Sequence, residues 1–224
     1  MTECMILGGA EEIGANSCYL EIDGTGILID AGLHPRVRDE RSFPQIEALG
    51  DRPTDAVFVT HAHTDHLGGI PYLLRKMPHL QTIMTRATRD LSYVMMNNNA
   101  KLLQSDVNKH FPAEALEFYN RNEIALLRQA FEAADYGEPI TLRGFTGRSD
   151  VNVTFHWSGH ILGSAGLVVE NQGTRIVHTG DVMFQDQQFI RGAALPRKHA
   201  DVVITEATNC AEEDAIDLRE QRVR

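Results

Sequence analysis

Side chains that commonly bind divalent metals are concentrated in one short stretch of this sequence. The β-branched and aromatic run at residues 56–60 is followed by His61, His63, Asp65 and His66. Neutral imidazole and carboxylate suit zinc and other first-row divalent ions. His61 and His63 are two residues apart, so on an extended segment they project to the same side. The chain must then turn, and Asp65 and His66 add a second pair of ligands. This arrangement fits two neighbouring cations better than one.

Two further candidate ligands follow other short apolar segments. His160 comes soon after residues 151–156 and Asp181 soon after residues 174–179, each beside a glycine. Glycine lets the backbone approach a buried ion closely. Either residue alone is more often an ordinary turn residue, but beside the first cluster both become candidate ligands. Asp181 has two carboxylate oxygens and is the natural bridge between two cations.

The elements that must position these residues form an alternating pattern of strands and helices. Short apolar segments predict strands at residues 4–9, 17–23, 26–30, 56–60, 151–156, 166–170, 174–179 and 201–205. A short helix is predicted at residues 71–76, with Pro71 in its first turn. Strands at both ends with helices between them favour an α/β sandwich, with sheets inside and helices outside.

The polar stretch from about residue 86 to residue 134 predicts long helices. One apolar helix face is predicted from Ile124, Leu127, Phe131 and Ala134, which recur at spacings of 3, 4 and 3. This apolar content is interpreted as core packing and not as a cofactor site.

Composition and charge exclude several classes of protein. A hydrophobic share of 42% and a charged share of 23% over 224 residues are typical of a globular chain and exclude general disorder.

No apolar run approaches the roughly 18 residues of a membrane span, and no secretory signal is visible, so we expect a cytoplasmic protein without a membrane partner. The net charge of −10 argues against a basic nucleic-acid platform, although carboxylates around bound cations contribute to it. Three cysteines without C-x-x-C spacing are expected to be reduced structural thiols.

The order of the candidate ligands resembles the metallo-β-lactamase superfamily. Asp30 in ILIDAG, the H-x-H-x-D-H run at 61–66, His160 and Asp181 occur in the family's order over essentially the whole chain. The resemblance implies an αββα sandwich with a dinuclear zinc-type site at one edge, with manganese as an alternative metal. It also implies that Asp30 fixes the ligand loop by hydrogen bonds without touching the metal.

The resemblance further implies how the ligands are divided between two metals. One metal is implied to be held by His61, His63 and His160, the other by Asp65 and His66, and both by Asp181.

Four phrases are similar to the β-CASP branch of RNA- and DNA-processing nucleases. They are GGAEEIGANSCYL at 8–20, DAGLHP with His34, GHILGSAG together with TGD, and ITEAT at 204–208. The resemblance implies that His34 lines the site and that Glu206 orients a proton donor. The branch usually has E-S-T-Y-G in the last phrase, and Ala207 and Asn209 stand here for its serine and tyrosine.

The resemblance also divides the chain. Residues 1–206 correspond to the metallo-β-lactamase-like domain, and residues 207–224 resemble the start of the β-CASP insertion. The family's second metal takes one further histidine downstream, but after Asp181 only His199 follows, too early in family order. We interpret the chain as the amino-terminal part of a longer nuclease, with an incomplete sandwich. A natural short paralogue and an assembly completed by a second chain are the alternatives.

These patterns predict metal-dependent hydrolysis of phosphodiester bonds, with single-stranded RNA as the substrate implied by the resemblance. Asp65 is a candidate both for binding metal and for accepting the proton of the attacking water. The isolated chain is expected to cleave RNA slowly or not at all. A hydrolase of a small ester or thioester, and a non-catalytic subunit of a processing complex, are the rival functions. Assembly as a homodimer or within such a complex is left open.

Overall fold

Two β-sheets pack face to face in the computed structural model, which describes residues 2–10, 12–37, 39–104, 116–117 and 119–208. Within these ranges the first sheet has six strands, in the spatial order β1 (Thr2–Gly8), β2 (Ser17–Ile22), β3 (Thr25–Ile29), β4 (Ala56–Val59), β5 (Gln81–Thr85) and β6 (Phe131–Ala134). The second sheet has the five described strands β7 (Pro139–Leu142), β8 (Val151–Trp157), β9 (Ala165–Asn171), β10 (Thr174–His178) and β11 (Val202–Ile204), in the spatial order β11-β10-β9-β8-β7.

The described helices all lie on one side of this pair of sheets. They are α1 (Thr64–Leu67), α2 (Ile70–Lys76), α3 (Arg86–Leu103) and α4 (Arg121–Ala130), together with 3-10 turns at Glu40–Ser42 and Ile46–Leu49. Each of the four helices contributes buried side chains to a core against the first sheet, among them Leu67, Ile70, Met96 and Ile124. The described residues therefore form three layers: helices, first sheet, second sheet.

A second core fills the space between the two sheets. Phe58 on β4 and Phe155 on β8 are fully buried, and their ring centroids lie 5.8 Å apart. Burial of each such ring stabilises the fold by about 1.5–3 kcal/mol. β4 is buried along its whole length because one face meets the helices and the other meets the second sheet.

Strand direction brings the candidate ligands to one edge of the sandwich. β3, β4, β5 and β6 run parallel to their neighbours in the first sheet, and β10 and β11 are parallel in the second. Asp30 follows β3 and His61 follows β4, while Asp181 and Glu206 follow β10 and β11. Since the carboxyl ends of parallel strands meet at the same edge of a sheet, these residues converge there.

The predicted α/β sandwich is confirmed, but one helix prediction is wrong. The helical pattern through Phe131 and Ala134 breaks at Ala130, where α4 ends, and residues 131–134 form the edge strand β6. β6 pairs in parallel with β5 from Thr82 opposite Phe131 onward. This tertiary pairing outweighs the weak local preference of the sequence FEAA. Strands β5 and β7 were not predicted.

None of the helices in the described ranges is long and apolar enough to cross a membrane. Residues 209–224 lie outside the described residues, so the start of an insertion at 207–224 stays a prediction.

Candidate metal centre

The turn predicted after His63 is the short helix α1. His63 itself has extended backbone angles and immediately precedes the helix. The amide of His66 donates to the carbonyl of His63 at 3.0 Å, which folds the chain back. His61 and His63 thus leave the strand on one side, and Asp65 and His66 return from the helix beside them.

Three imidazoles and one carboxylate converge on a common point. His61 Nε2 lies 3.0 Å from His63 Nδ1, and His160 Nε2 lies 3.2 Å from the same nitrogen. Asp181 Oδ2 lies 3.4 Å from His160 Nε2 and 3.8 Å from His61 Nε2. All four ligand atoms fall within 4.8 Å of one another.

This first ligand set fits a zinc-type cation. Ligand atoms of a tetrahedral zinc ion lie about 3.3–3.6 Å apart, given bonds of about 2.0–2.2 Å. Burial, reinforced by the neighbouring histidines, holds the pKa of His61 well below its ordinary value. Burial likewise lowers the pKa of His63. Both rings are therefore neutral near pH 7, which is the form that binds a metal.

A second group of ligand atoms adjoins the first and shares Asp181 with it. His66 Nε2 lies 3.3 Å from Asp181 Oδ1 and 3.6 Å from Asp65 Oδ2. The two oxygens of Asp181 therefore face different groups, Oδ2 toward the first set and Oδ1 toward His66. Among the described residues the compact group of ligand atoms is the first set, and the bridging role of Asp181 stays a prediction.

The buried carboxylate of Asp30 links the end of β4 to His66 by hydrogen bonds. Its Oδ1 accepts from the Thr60 amide at 2.7 Å, and its Oδ2 accepts from the Thr60 hydroxyl at 2.7 Å and from His66 Nδ1 at 2.8 Å. Burial disfavours a charged His66, but Asp30 and Asp181 outweigh it and raise the pKa of His66 to about 10. Because Nδ1 donates to Asp30, Nε2 is the nitrogen that faces the ligand group.

The His160 loop is fixed by hydrogen bonds to its backbone. The hydroxyl of Ser164 accepts from the amides of His160 and Ile161, both at 3.1 Å. The side-chain amide of Gln187 donates to the carbonyls of Gly159 and His160 at 2.8 and 2.9 Å. Gly159 has a φ of +75°, a conformation that favours glycine.

His34 and Glu206 occupy different surroundings. His34 Nδ1 accepts from the amides of Arg36 and Val37 at 3.0 Å, and its Nε2 lies 3.4 Å from Glu12 Oε2. It thereby organises its own loop. Glu206 lies at the predicted sheet edge, where its Oε1 accepts from the Val182 amide at 3.0 Å.

Two cavities adjoin the candidate ligands. One, of about 310 Å³, is lined by Asp30, His66, Asp181 and Glu206, and a neighbouring one of about 400 Å³ also reaches Asp65. His199 lies elsewhere, in a cleft of about 580 Å³ beside Arg148 and Arg175.

Sequence reasoning missed two residues that line the 310 Å³ cavity. They are Asn16 and His178. Burial lowers the pKa of His178 to about 4. For Asn16, the available signal was its position inside the phrase GGAEEIGANSCYL.

The fold and the site define a class of protein. Residues 11–210 match the profile of the metallo-β-lactamase superfamily, and the chain belongs to that superfamily. A solved protein of unknown function from Enterococcus faecalis V583 has a similar fold, with a TM-score of 0.52 at 18% identity over 82% of this chain and 44% of that one.

The chain is also similar to curated relatives named as an endoribonuclease and as a transcription termination factor. The chain is 26% identical over 207 residues to endoribonuclease YSH1 of Mycosarcoma maydis, covering 91% of this chain and 22% of the relative. It is 30% identical over 222 residues to transcription termination factor FttA of Methanocaldococcus jannaschii, covering 97% of this chain and 33% of the relative. The chain thus spans about a fifth to a third of these relatives' length. The resemblance stated from the sequence is confirmed.

Proposed function

We propose that this chain carries the metal centre of a hydrolase that cleaves phosphodiester bonds in single-stranded RNA. The observation that carries the proposal is the convergence of two ligand groups that share Asp181 at one sheet edge. The similarity to a protein named an endoribonuclease supports RNA as the substrate.

Zinc is the proposed metal, with manganese as the alternative. His61, His63, His160 and Asp181 would hold one ion, and Asp65, His66 and Asp181 the other. Three nitrogens and one oxygen at the observed separations suit tetrahedral zinc. A pair of divalent ions supplies an acidified water and positive charge opposite the reacting phosphate.

The protein's own residues prepare this chemistry. Asp30 fixes the tautomer of His66, and Ser164 and Gln187 fix the loop that carries His160. Asp65 is the proposed acceptor of the proton that the attacking water loses. Glu206, which already accepts from the Val182 amide, is proposed to orient the group that protonates the leaving oxygen.

Metal content and cleavage test the proposal together. The 224-residue chain is loaded with zinc, and hydrolysis of labelled single-stranded RNA and of small esters is measured with enzyme in excess, so that slow turnover is detected. We expect at most slow RNA cleavage by this chain, dependent on the metal and abolished by EDTA. Cytoplasmic location and assembly as a homodimer or complex subunit stay predictions.

Two variants separate the metal centre from general effects of losing a histidine. His63→Ala should lose both zinc and cleavage. His79→Ala should keep both, because His79 lies outside the cluster and contacts the carbonyl of Thr54. Hydrolysis of esters without RNA cleavage would identify a small-ester hydrolase instead. A chain that binds zinc but cleaves neither substrate would favour the non-catalytic function.

A further inference from the structure

We propose that Asn16 is a metal ligand whose side-chain amide oxygen binds the second divalent cation together with Asp65, His66 and Asp181. The inference rests on the metal centre proposed above. It concerns a residue that is neither histidine nor carboxylate and that follows the first strand, far from the H-x-H-x-D-H run in the sequence.

The backbone of Asn16 is tied directly to the ligand turn. Its amide donates to the carbonyl of Asp65 at 2.9 Å, and its carbonyl accepts from the amide of Gly32 at 3.0 Å. The three segments meet so closely that a Cβ on Gly32 would lie 1.8 Å from the Asp65 carbonyl oxygen and 2.6 Å from the Asn16 nitrogen. Asn16 therefore holds a fixed position relative to Asp65.

The side chain of Asn16 lies among the atoms of the second ligand group. Its Nδ2 is 3.2 Å from Asp65 Oδ2 and 3.2 Å from His66 Nε2. The remaining separations in this group are 3.6 Å between His66 Nε2 and Asp65 Oδ2 and 3.3 Å between His66 Nε2 and Asp181 Oδ1.

The distances between these side-chain atoms are similar to the distances between neighbouring ligand atoms around a bound metal ion. Around a tetrahedral zinc ion, neighbouring ligand atoms lie about 3.3–3.6 Å apart. The first set, which contains only histidine and aspartate, spans 3.0 to 3.8 Å between the same kinds of atoms. The amide of Asn16 therefore occupies the place that a further ligand of the second cation would take.

A half-turn of the amide presents oxygen in place of nitrogen. The terminal torsion of asparagine is broad and roughly two-fold, so the turn is inexpensive. Oδ1 takes part in no hydrogen bond with the described residues, and it points toward Gly9, where a Cβ would lie 2.1 Å away. The turn breaks only the two contacts of Nδ2, which a bound cation would replace. Amide oxygens are established ligands of divalent cations.

A different role for Asn16 predicts the opposite result. If the amide only donated to Asp65 and His66, it would compete with the cation for both, and its removal would leave the second cation's affinity unchanged or higher. If Asn16 is a ligand, its removal lowers that affinity. The sign of the change therefore decides between the two roles.

Metal titration of the 224-residue chain provides the test. The metal-free chain is titrated with Zn²⁺, and in a separate experiment with Mn²⁺, by isothermal calorimetry. We expect two binding events in the unsubstituted chain, the first to the histidine-rich set. Asn16→Ala should leave the first event unchanged and weaken the second by about tenfold or more. The control Asn97→Ala should alter neither event, because the Asn97 amide lies outside both ligand groups and donates to the carbonyl of Tyr93 on α3.

Asn16→Asp tests the same position without changing its shape. A carboxylate oxygen always faces the cation there and adds negative charge, so the second event should become tighter than in the unsubstituted chain. If Asn16→Ala also loses the first event through misfolding, Asn16→Asp decides alone, and equal or weaker second binding in it overturns the proposal.

The outcomes separate this inference from the proposed function. An unchanged or tighter second event in Asn16→Ala, with the first intact, overturns only the assignment of Asn16. A single binding event in the unsubstituted chain overturns it as well. Absence of any binding overturns the proposed metal centre and this inference together.

Discussion

At the scale of single residues, Asp30 decides which nitrogen of His66 a cation can reach. Both carboxylate oxygens are occupied, Oδ1 by the Thr60 amide and Oδ2 by the Thr60 hydroxyl and His66 Nδ1. Asp30 also has a φ of +64°, in the left-handed region that asparagine tolerates about as well as aspartate. Asp30→Asn therefore changes the hydrogen bonding with little effect on the backbone.

We expect Asp30→Asn to weaken the second cation and spare the first. In the unsubstituted chain a cation can displace the Nε2 proton of His66, because the remaining proton on Nδ1 donates to Asp30. In the variant, with its oxygen still accepting from the Thr60 amide, the new NH₂ group donates to His66 Nδ1, so the neutral ring keeps its proton on Nε2 and affinity falls by about 10–100-fold. Calorimetric titration measures both events, and nitrogen NMR of the His66 ring reports the tautomer. Unchanged second-event affinity would contradict the assigned role of Asp30.

At the scale of elements, the pairing of β1 with β2 places two thiols side by side. Cys4 and Cys18 are free cysteines whose sulfurs lie 3.8 Å apart, with Cys4 exposed and Cys18 buried. The hydrogen bond with Cys18 lowers the pKa of Cys4 to about 7, although partial burial opposes the change. The same contact, together with burial, raises the pKa of Cys18. The strand register thus favours the thiolate form at Cys4 over that at Cys18.

Alkylation should therefore select Cys4 over Cys18. Because its pKa is lowered, Cys4 has a larger share of thiolate, the nucleophilic form, at pH 7 than an ordinary cysteine has. Cys18→Ala removes the hydrogen bond and should slow the modification of Cys4 at pH 7 by about tenfold, while at pH 10 the two proteins should react alike. Iodoacetamide labelling with site-resolved mass spectrometry measures both rates. Equal rates at pH 7 would show that Cys18 does not stabilise the thiolate.

At the scale of the whole molecule, the histidines make the stability of the metal-free chain depend on pH in opposite directions. The pKa of His66 is raised to about 10 in the folded chain, and that of His178 is lowered to about 4 by burial. An unfolded histidine titrates near 6.5. Stability follows the difference in bound protons between the two states.

We expect the contribution of His66 and His178 to the free energy of unfolding of the metal-free chain to be greatest near pH 6.5. Above that pH the unfolded chain loses the His66 proton that the folded chain keeps, so stability falls toward pH 10. Below pH 6.5 His178 becomes protonated in the unfolded chain, whereas in the folded chain it stays neutral until about pH 4. The free energy of unfolding therefore also falls toward acid pH. Urea unfolding in EDTA across pH 4.5–9.5 measures the curve.

The same curve has an internal control. Asp30→Asn removes the main partner that raises the pKa of His66, so it should flatten the decline above pH 6.5. An alkaline decline of the same size in this variant would assign it to other groups.

The sequence by itself determined the chemistry of the principal ligands and the type of fold. The positions of the four ligands in the H-x-H-x-D-H run could be predicted from the neighbouring sequence alone, because a buried strand and an immediate turn fix where those four side chains point. Asp30, His160, Asp181 and Glu206 were predictable because each follows a short apolar strand. The strands before Asp30, Asp181 and Glu206 each run parallel to a neighbour, and parallel strand ends share one edge.

Only the tertiary structure decided which distant segments meet. Asn16 and Asp65 are 49 residues apart, and their contact depends on how the loop after β1 closes over α1. Residues 131–134 have a helical pattern, yet they form a strand because β5 offers an unpaired edge. Local periodicity records which face of an element is buried. It does not determine the sheet register or the loop conformation that bring one element against another. The position of Asn16 beside Asp65 and His66 depends on both.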